Sequence, residues 1–220
     1  MTKEPMVVIL GAGRPFAGTE PSALSQASGD RRVLDWIIDA FENALDSCEF
    51  HFVGGYRIDE IIEEYPEIHF SRNKDWETSG TVASLFTAPL TTDRPIYVCY
   101  ADTIFEPDIV NMLNTASDTT IAVDKSWRSR YESRSEESIK RAEKIQLDDT
   151  SILDAGSELA VENTDAEFTG IIRFSPDAIK RTKSLWEART IDHEANLPTL
   201  IRALTATNNS VKAVDIEDRW

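Results

Sequence analysis

The stretch Met6-Val-Val-Ile-Leu-Gly-Ala-Gly-Arg14 decides how the rest of the chain is read. Five apolar residues, rich in β-branched types, stop at a glycine, as a strand buried on both faces does. Working outward, apolar residues recur at helical spacing from Arg32 through Val33, Trp36, Ile37, Ala40, Phe41 and Leu45. Glu49–Val53 reads as a second strand ending at Gly54-Gly55, and Ile58–Tyr65 as a short helix closed by Pro66. Ile68–Phe70 reads as a strand, Ser79–Thr87 as a helix, Pro95–Tyr100 as a strand, Pro107–Ala116 as a helix and Thr120–Val123 as a strand. Beyond the charged segment Lys125–Arg141, the runs Lys144–Leu147, Ile152-Leu153 and Leu159–Val161 read as short strands between Asp and Gly turns. Phe168–Phe174 and Val211–Ile216 complete the strands, with helices over Asp177–Arg189 and Leu197–Ala206. Strands alternating with helices imply a Rossmann-like three-layer α/β/α fold, with a mostly parallel sheet and a small inserted antiparallel portion. Ligands of such sheets sit beyond the carboxyl ends of the strands, where Gly11–Arg14, Gly54-Gly55, Asn73 and Asp102 all fall.

The composition narrows the partners. With 220 residues, 41% hydrophobic and 28% charged, the chain can bury one sizeable core, and a single domain over 1–220 is expected. A net charge of −16 argues against a nucleic-acid binder, which needs a positive field over the phosphates. No apolar run approaches bilayer length, so no membrane association is expected. Cys48 and Cys99 sit in apolar runs as small hydrophobes, which fits a reducing cytoplasm.

Gly11-Ala-Gly13 after a strand first suggests a dinucleotide fingerprint, but Phe16 stands where the third small residue is needed, and Pro15, Gly18 and Pro21 keep the chain irregular until about Gly29. No Gly-Lys-Ser/Thr follows, which excludes a P-loop. A long glycine-punctuated loop can instead wrap a triphosphate with backbone N–H groups, and Arg14 beside it offers a guanidinium fork for phosphate. Asp102, just past an apolar strand, is a hard oxygen ligand suited to Mg²⁺. The segment Lys125-Ser-Trp-Arg-Ser-Arg-Tyr131 is the densest basic-aromatic cluster. It reads either as a solvated loop anchored by Trp127, or as an acceptor site in which Lys125, Arg128 or Arg130 meets a phosphomonoester and Trp127 or Tyr131 faces an ammonium. Asp192-His-Glu194 reads as a solvated turn, and His51 and His69 as strand histidines without ligand spacing.

Taken in order, Leu10–Arg14, Pro21-Ser-Ala-Leu24, Val33-Leu-Asp-Trp36, Val53-Gly-Gly-Tyr56, Asn73, Ser84-Leu85, Ala101–Phe105, Glu143-Lys-Ile145 and Phe168-Thr-Gly-Ile171 resemble the nucleotidyltransferases that activate sugar 1-phosphates and phosphocholine-type alcohols. The resemblance covers nearly the whole chain and leans toward the phosphocholine cytidylyltransferase-like branch. It implies the nucleotide-diphospho-sugar transferase-like fold, a nucleoside triphosphate, CTP by branch, and a phosphorylated small-molecule acceptor. It further implies nucleotide contacts at Leu10, Gly11, Ala12, Gly13, Arg14, Asn73 and Ser84, Mg²⁺ on Asp102, and acceptor contacts at Glu143 and Gly170 beside the basic-aromatic cluster. A sugar 1-phosphate nucleotidyltransferase and a non-catalytic nucleotide-binding module are the alternatives. Two departures stand out: the family's lysine after the proline is Ser22, and the chain ends at Trp220 before the family's Asp-x-Asp, which leaves either a longer natural chain or a second metal ligand from elsewhere.

Overall fold

A computed structural model describes residues 3–27, 29–114, 118–132, 134–207, 210–217 and 219–220. The opening strand β1 (Met6–Gly11) lies between β2 (Glu49–Gly54) and β4 (Ile96–Tyr100), parallel to both, with β3 (His69–Arg72) outside β2. On the other side of β4, β8 (Ala166–Phe174) runs antiparallel to it and to β5 (Thr119–Asp124), and β9 (Val211–Asp215) runs parallel beside β5. The hairpin of β6 (Lys144–Asp148) and β7 (Ser151–Gly156) completes the order β3-β2-β1-β4-β8-β5-β9-β7-β6. Because β6 also pairs with β8, the strands β8, β5, β9, β7 and β6 close on themselves.

The sheet is therefore mixed rather than mostly parallel. The Phe168–Phe174 run is buried on both faces, and an apolar run of that kind carries no mark of its direction. The expected strand at Leu159–Val161 is absent, replaced by a 3₁₀ turn over Val161–Asn163. Three apolar residues are too few to build a ladder there, and Val161 packs on Trp127 and Tyr131 instead. The charged segment after β5 folds into two short helices, α5 (Trp127–Tyr131) and α6 (Glu136–Arg141). The helix expected to reach Ala116 ends at Leu113, its last expected residues lying outside the described ones.

Strand alternation sorts the core into two layers. Met6, Val8 and Leu10 pack with Leu85 of α3 (Thr81–Leu85), Ile179 of α7 (Pro176–Glu187) and Leu200 and Leu204 of α8 (Leu197–Ala206). Val7 and Ile9 face the other way, onto Leu34, Ile37 and Phe41 of α1 (Val33–Ala44) and Ile109 and Leu113 of α4 (Pro107–Leu113). Complete burial of each such side chain is worth roughly 1.5–3 kcal/mol, which makes β1 a firm base for the glycine loop that departs from it. α1 begins where the Asp35 carboxylate accepts the Arg32 N–H at 2.9 Å, a helix-start bond that ends the irregular loop. The remaining short helix, α2 (Ile58–Glu64), follows β2.

Candidate active site

The carboxyl ends of β1 and β4 open onto a cleft of about 250 Å³ lined by Leu10, Gly11, Gly13, Arg14, Ser22 and Ala23 on one side and by Thr81, Tyr100, Ala101, Asp102 and Glu143 on the other. Gly11 is a close-approach position: a Cβ there would stand 2.4 Å from the Phe52 ring and 2.8 Å from the Ala101 Cβ. Gly13 faces open space, leaving its backbone approachable from the cleft. The Ala12 carbonyl accepts the Tyr56 N–H at 2.9 Å, tying the loop to the turn after β2.

Arg14 stands at the rim. Its guanidinium lies over the rings of Tyr56 (4.8 Å) and Trp76 (5.3 Å), with Glu77 3.5 Å away. The aromatic ledge restrains a side chain that is otherwise exposed, and holds it at the edge of the cleft. Asp102 is open to solvent on the cleft side, and the surrounding protein pushes its carboxyl above the usual range by desolvation. Glu143 approaches from the residue before β6. The Tyr100 hydroxyl stands 3.1 Å and 3.0 Å from its two carboxylate oxygens. Burial pushes Glu143 up to about 7, against the lowering effect of the Tyr100 hydrogen bond, with the negative charges of Glu167 and Asp102 adding to the rise. Lys144 points away and is buried, its ammonium donating to the carbonyls of Lys140, Ala142 and Ser157.

Of the residues singled out in the sequence, Leu10, Gly11, Gly13, Arg14, Asp102 and Glu143 come together in this cleft. Asn73 and Ser84 do not line it. The Asn73 amide donates to the hydroxyls of Ser79 and Ser84, each at 2.9 Å, so the pair braces the turn into α3. Gly170 lies behind the cleft, against the Tyr100 ring. The basic-aromatic cluster departs furthest from the acceptor site expected of it. Trp127 is 1% exposed and packs edge-on against Tyr131, 5.4 Å between centroids, with Ala142 beside them. Such a ring has no open face for an ammonium. Tyr131 donates to Glu167 at 2.5 Å, Arg128 donates to the carbonyls of Val161 and Thr164, and Arg130 pairs with the buried Asp124 and lies 4.1 Å over the Trp220 ring. Lys125 is exposed.

Sequence reasoning missed Tyr100 and Thr81. Tyr100 passed as one more apolar residue of β4, since nothing in the strand's pattern marks its hydroxyl. At the end of β9 the Asp215 carboxylate accepts the N–H groups of Lys125 (3.3 Å) and Glu217 (3.2 Å), and neither Asp215 nor Glu217 lines the cleft.

No protein-family model matches the chain. A cytidylyltransferase of Campylobacter jejuni subsp. jejuni serotype O:2, named as CTP:phosphoglutamine cytidylyltransferase, is 23% identical over 97% of this chain and 93% of its own length. Among solved structures, the inositol-1-phosphate CTP transferase of T. maritima superposes with a TM-score of 0.73 at 16% identity, covering 97% of this chain and 86% of that one. The CTP:phosphocholine cytidylyltransferase of Streptococcus pneumoniae gives a TM-score of 0.66 at 14% identity, with coverage of 99% and 92%. The chain therefore has the nucleotidyltransferase fold. Within that class it is similar to the cytidylyltransferases, as the resemblance of its motifs implied.

Proposed function

We propose that this chain transfers CMP from CTP to a phosphorylated small-molecule acceptor and releases pyrophosphate. The observation that carries this reading is the convergence of the glycine loop, Arg14, Asp102 and Glu143 on one cleft at the strand ends. An oxygen of the acceptor phosphate attacks the α-phosphorus of CTP in line. The new P–O bond forms as the α–β anhydride bond breaks. A phosphomonoester is already largely dianionic near neutral pH, so no residue has to remove a proton from it. The loop N–H groups and Arg14 receive the triphosphate and hold it in register, and the barrier falls through positioning and charge stabilisation.

The donor set also fits Mg²⁺. Among the described residues no three His, Cys, Asp or Glu side chains gather into a cage, but an accessible carboxylate in the cleft suits an ion that binds through one or two carboxylates plus phosphates and waters. Asp102 would hold it, and the ion would supply neutralisation of the phosphate charge. Among the described residues no helix is long and apolar enough to cross a membrane. The test is pyrophosphate release with CTP, UTP, GTP and ATP in Mg²⁺, each with a panel of phosphomonoesters and sugar 1-phosphates. CTP-dependent release that requires a phosphomonoester is expected. Release with UTP and a sugar 1-phosphate alone would replace this reading with the sugar-activating one.

A further inference from the structure

On the α1 and α4 side of the sheet lies a second cavity of about 400 Å³, which shares no lining residue with the cleft. Trp36, Asp39, Ala40 and Asn43 border it at helical spacing along α1, and residues 104–107 face them from the start of α4. Trp220 closes the third side, so two indoles and Phe105 supply most of the apolar wall.

The charges at the rim do not cancel. The Arg219 guanidinium is committed, donating to the Asp108 carboxylate, the Ile216 carbonyl and the Met112 sulfur. Asp39 is paired with Arg31. Glu106 stands exposed at the start of α4, where its side chain makes no capping bond. Asn43 donates its amide N–H to the Asp39 carbonyl at 2.7 Å, which leaves its side-chain oxygen as a further acceptor. The cavity therefore offers a ligand acceptors and negative charge, in a chain of net charge −16.

Both indoles already hold cations. The Arg31 guanidinium lies 4.3 Å from the Trp36 ring centroid and that of Arg130 4.1 Å from the Trp220 ring centroid. Neither arginine lines the cavity, so the indole surface that borders it is left to another occupant. Tryptophan is the strongest of the aromatic side chains in attracting a cation, and two of them beside a carboxylate suit an organic ammonium. An inorganic divalent ion needs a cage of oxygens instead, and among the described residues no three His, Cys, Asp or Glu side chains gather.

The wall at residues 104–107 continues directly from Asp102 through the buried Thr103. Phe105 fixes its position edge-on against Phe41 of α1, 5.6 Å between centroids. A ligand lodged between α1 and this segment touches the same stretch that presents Asp102 to the cleft. We propose that the cavity binds a small organic monocation, and that its occupancy steadies the segment carrying Asp102.

Choline and its uncharged isostere 3,3-dimethylbutan-1-ol, titrated calorimetrically without nucleotide at constant ionic strength in KCl, separate recognition of charge from filling of apolar space. Choline should bind saturably at one site per chain, about tenfold or more tightly than the alcohol. Glu106→Gln and Trp36→Leu should each weaken it about tenfold, whereas Glu143→Gln, which alters the cleft alone, should leave it unchanged. Because Glu106 is exposed, its variant keeps the test decisive where Trp36→Leu does not fold. Hydrogen–deuterium exchange over residues 102–107 should slow with choline in the wild type and stay unchanged in Glu106→Gln. Equal binding of choline and the alcohol, or no saturable binding of choline, would overturn the inference. So would binding lost in Glu143→Gln and kept in Glu106→Gln, which would put the cation in the cleft. Exchange unaltered by bound choline would overturn the link to Asp102.

Discussion

Gly170 and Tyr100 are fitted to each other across neighbouring strands: a Cβ on Gly170 would stand 2.4 Å from the Tyr100 Cδ2 atom, and the glycine holds φ +85°. Gly170→Ala therefore combines a strained backbone with a displaced ring. We expect a loss of roughly 1–3 kcal/mol in stability, read from urea unfolding midpoints, together with a rise in acceptor KM because the hydroxyl that pins Glu143 moves. Unchanged acceptor KM in the folded variant would separate the ring's position from the site.

Asp102→Asn removes a charge that the cleft holds at a cost, since desolvation raises the carboxyl above its usual range. Thermal stability should hold or rise at neutral pH, while turnover in Mg²⁺ falls on the order of 10²-fold or more. Single-turnover pyrophosphate release checks this, and near-normal rates would move the metal-binding role to another residue.

Arg14→Lys keeps the charge and loses the fork that lies over Tyr56 and Trp76. An ammonium cannot bind phosphate oxygens in the same two-pronged way. The KM of CTP should rise about tenfold, with little change in melting temperature because the side chain is exposed. An unchanged KM would leave Arg14 as a rim charge.

Trp127→Ala distinguishes packing from ligand binding. A ring that is 1% exposed should cost about 3–5 kcal/mol on truncation. Acceptor KM, measured below the melting temperature, should stay near the wild-type value. A selective rise in acceptor KM with normal stability would restore the ammonium-facing role expected of the sequence.

Two groups give opposite pH trends in metal-free protein. His51 is 4% exposed and its pKa is lowered, by burial and then by the charge of His69. It is held neutral in the fold while the unfolded chain takes up a proton, so its contribution is present above about pH 6.5 and is lost as the pH falls below that. Glu143 is raised to about 7. Its contribution is present below the ordinary carboxylate range and is lost as the pH rises through 7. Glu143→Gln should therefore stabilise the protein at pH 8, by no more than roughly 3 kcal/mol, and leave stability near pH 4 little changed. Denaturation midpoints across this range would show a flattened alkaline limb; an unaltered one would mean that Glu143 titrates normally.

The sequence made legible what depends on local pattern. The β-branched run before Gly11 gave β1, and the glycine loop, Arg14 and Asp102 followed from their places at strand ends. Glu143 came through resemblance. What stayed hidden depends on pairing across the sheet. The direction of β8 is set by its neighbours β4 and β5, and neither its composition nor its length encodes it. The fate of the Trp127 cluster turned on burial: Arg128 and Arg130 look like a phosphate site until the carbonyls of Val161 and Thr164 and the carboxylate of Asp124 are seen to occupy them. Tyr100 was hidden because a tyrosine in a buried strand contributes to the same apolar pattern whether or not its hydroxyl has a task.

The reversal of β8 and the closure of β6 onto it have a consequence for how such a protein can change. The loop that would receive the nucleotide hangs from the parallel strands, whereas Glu143 hangs from the hairpin that closes on β8. The two walls of the cleft thus hang from different stretches of the sheet and meet at Tyr100 and Asp102. Grafting a different β6–β7 hairpin could retarget the acceptor while the nucleotide wall is inherited intact, making substrate choice modular within a single continuous sheet.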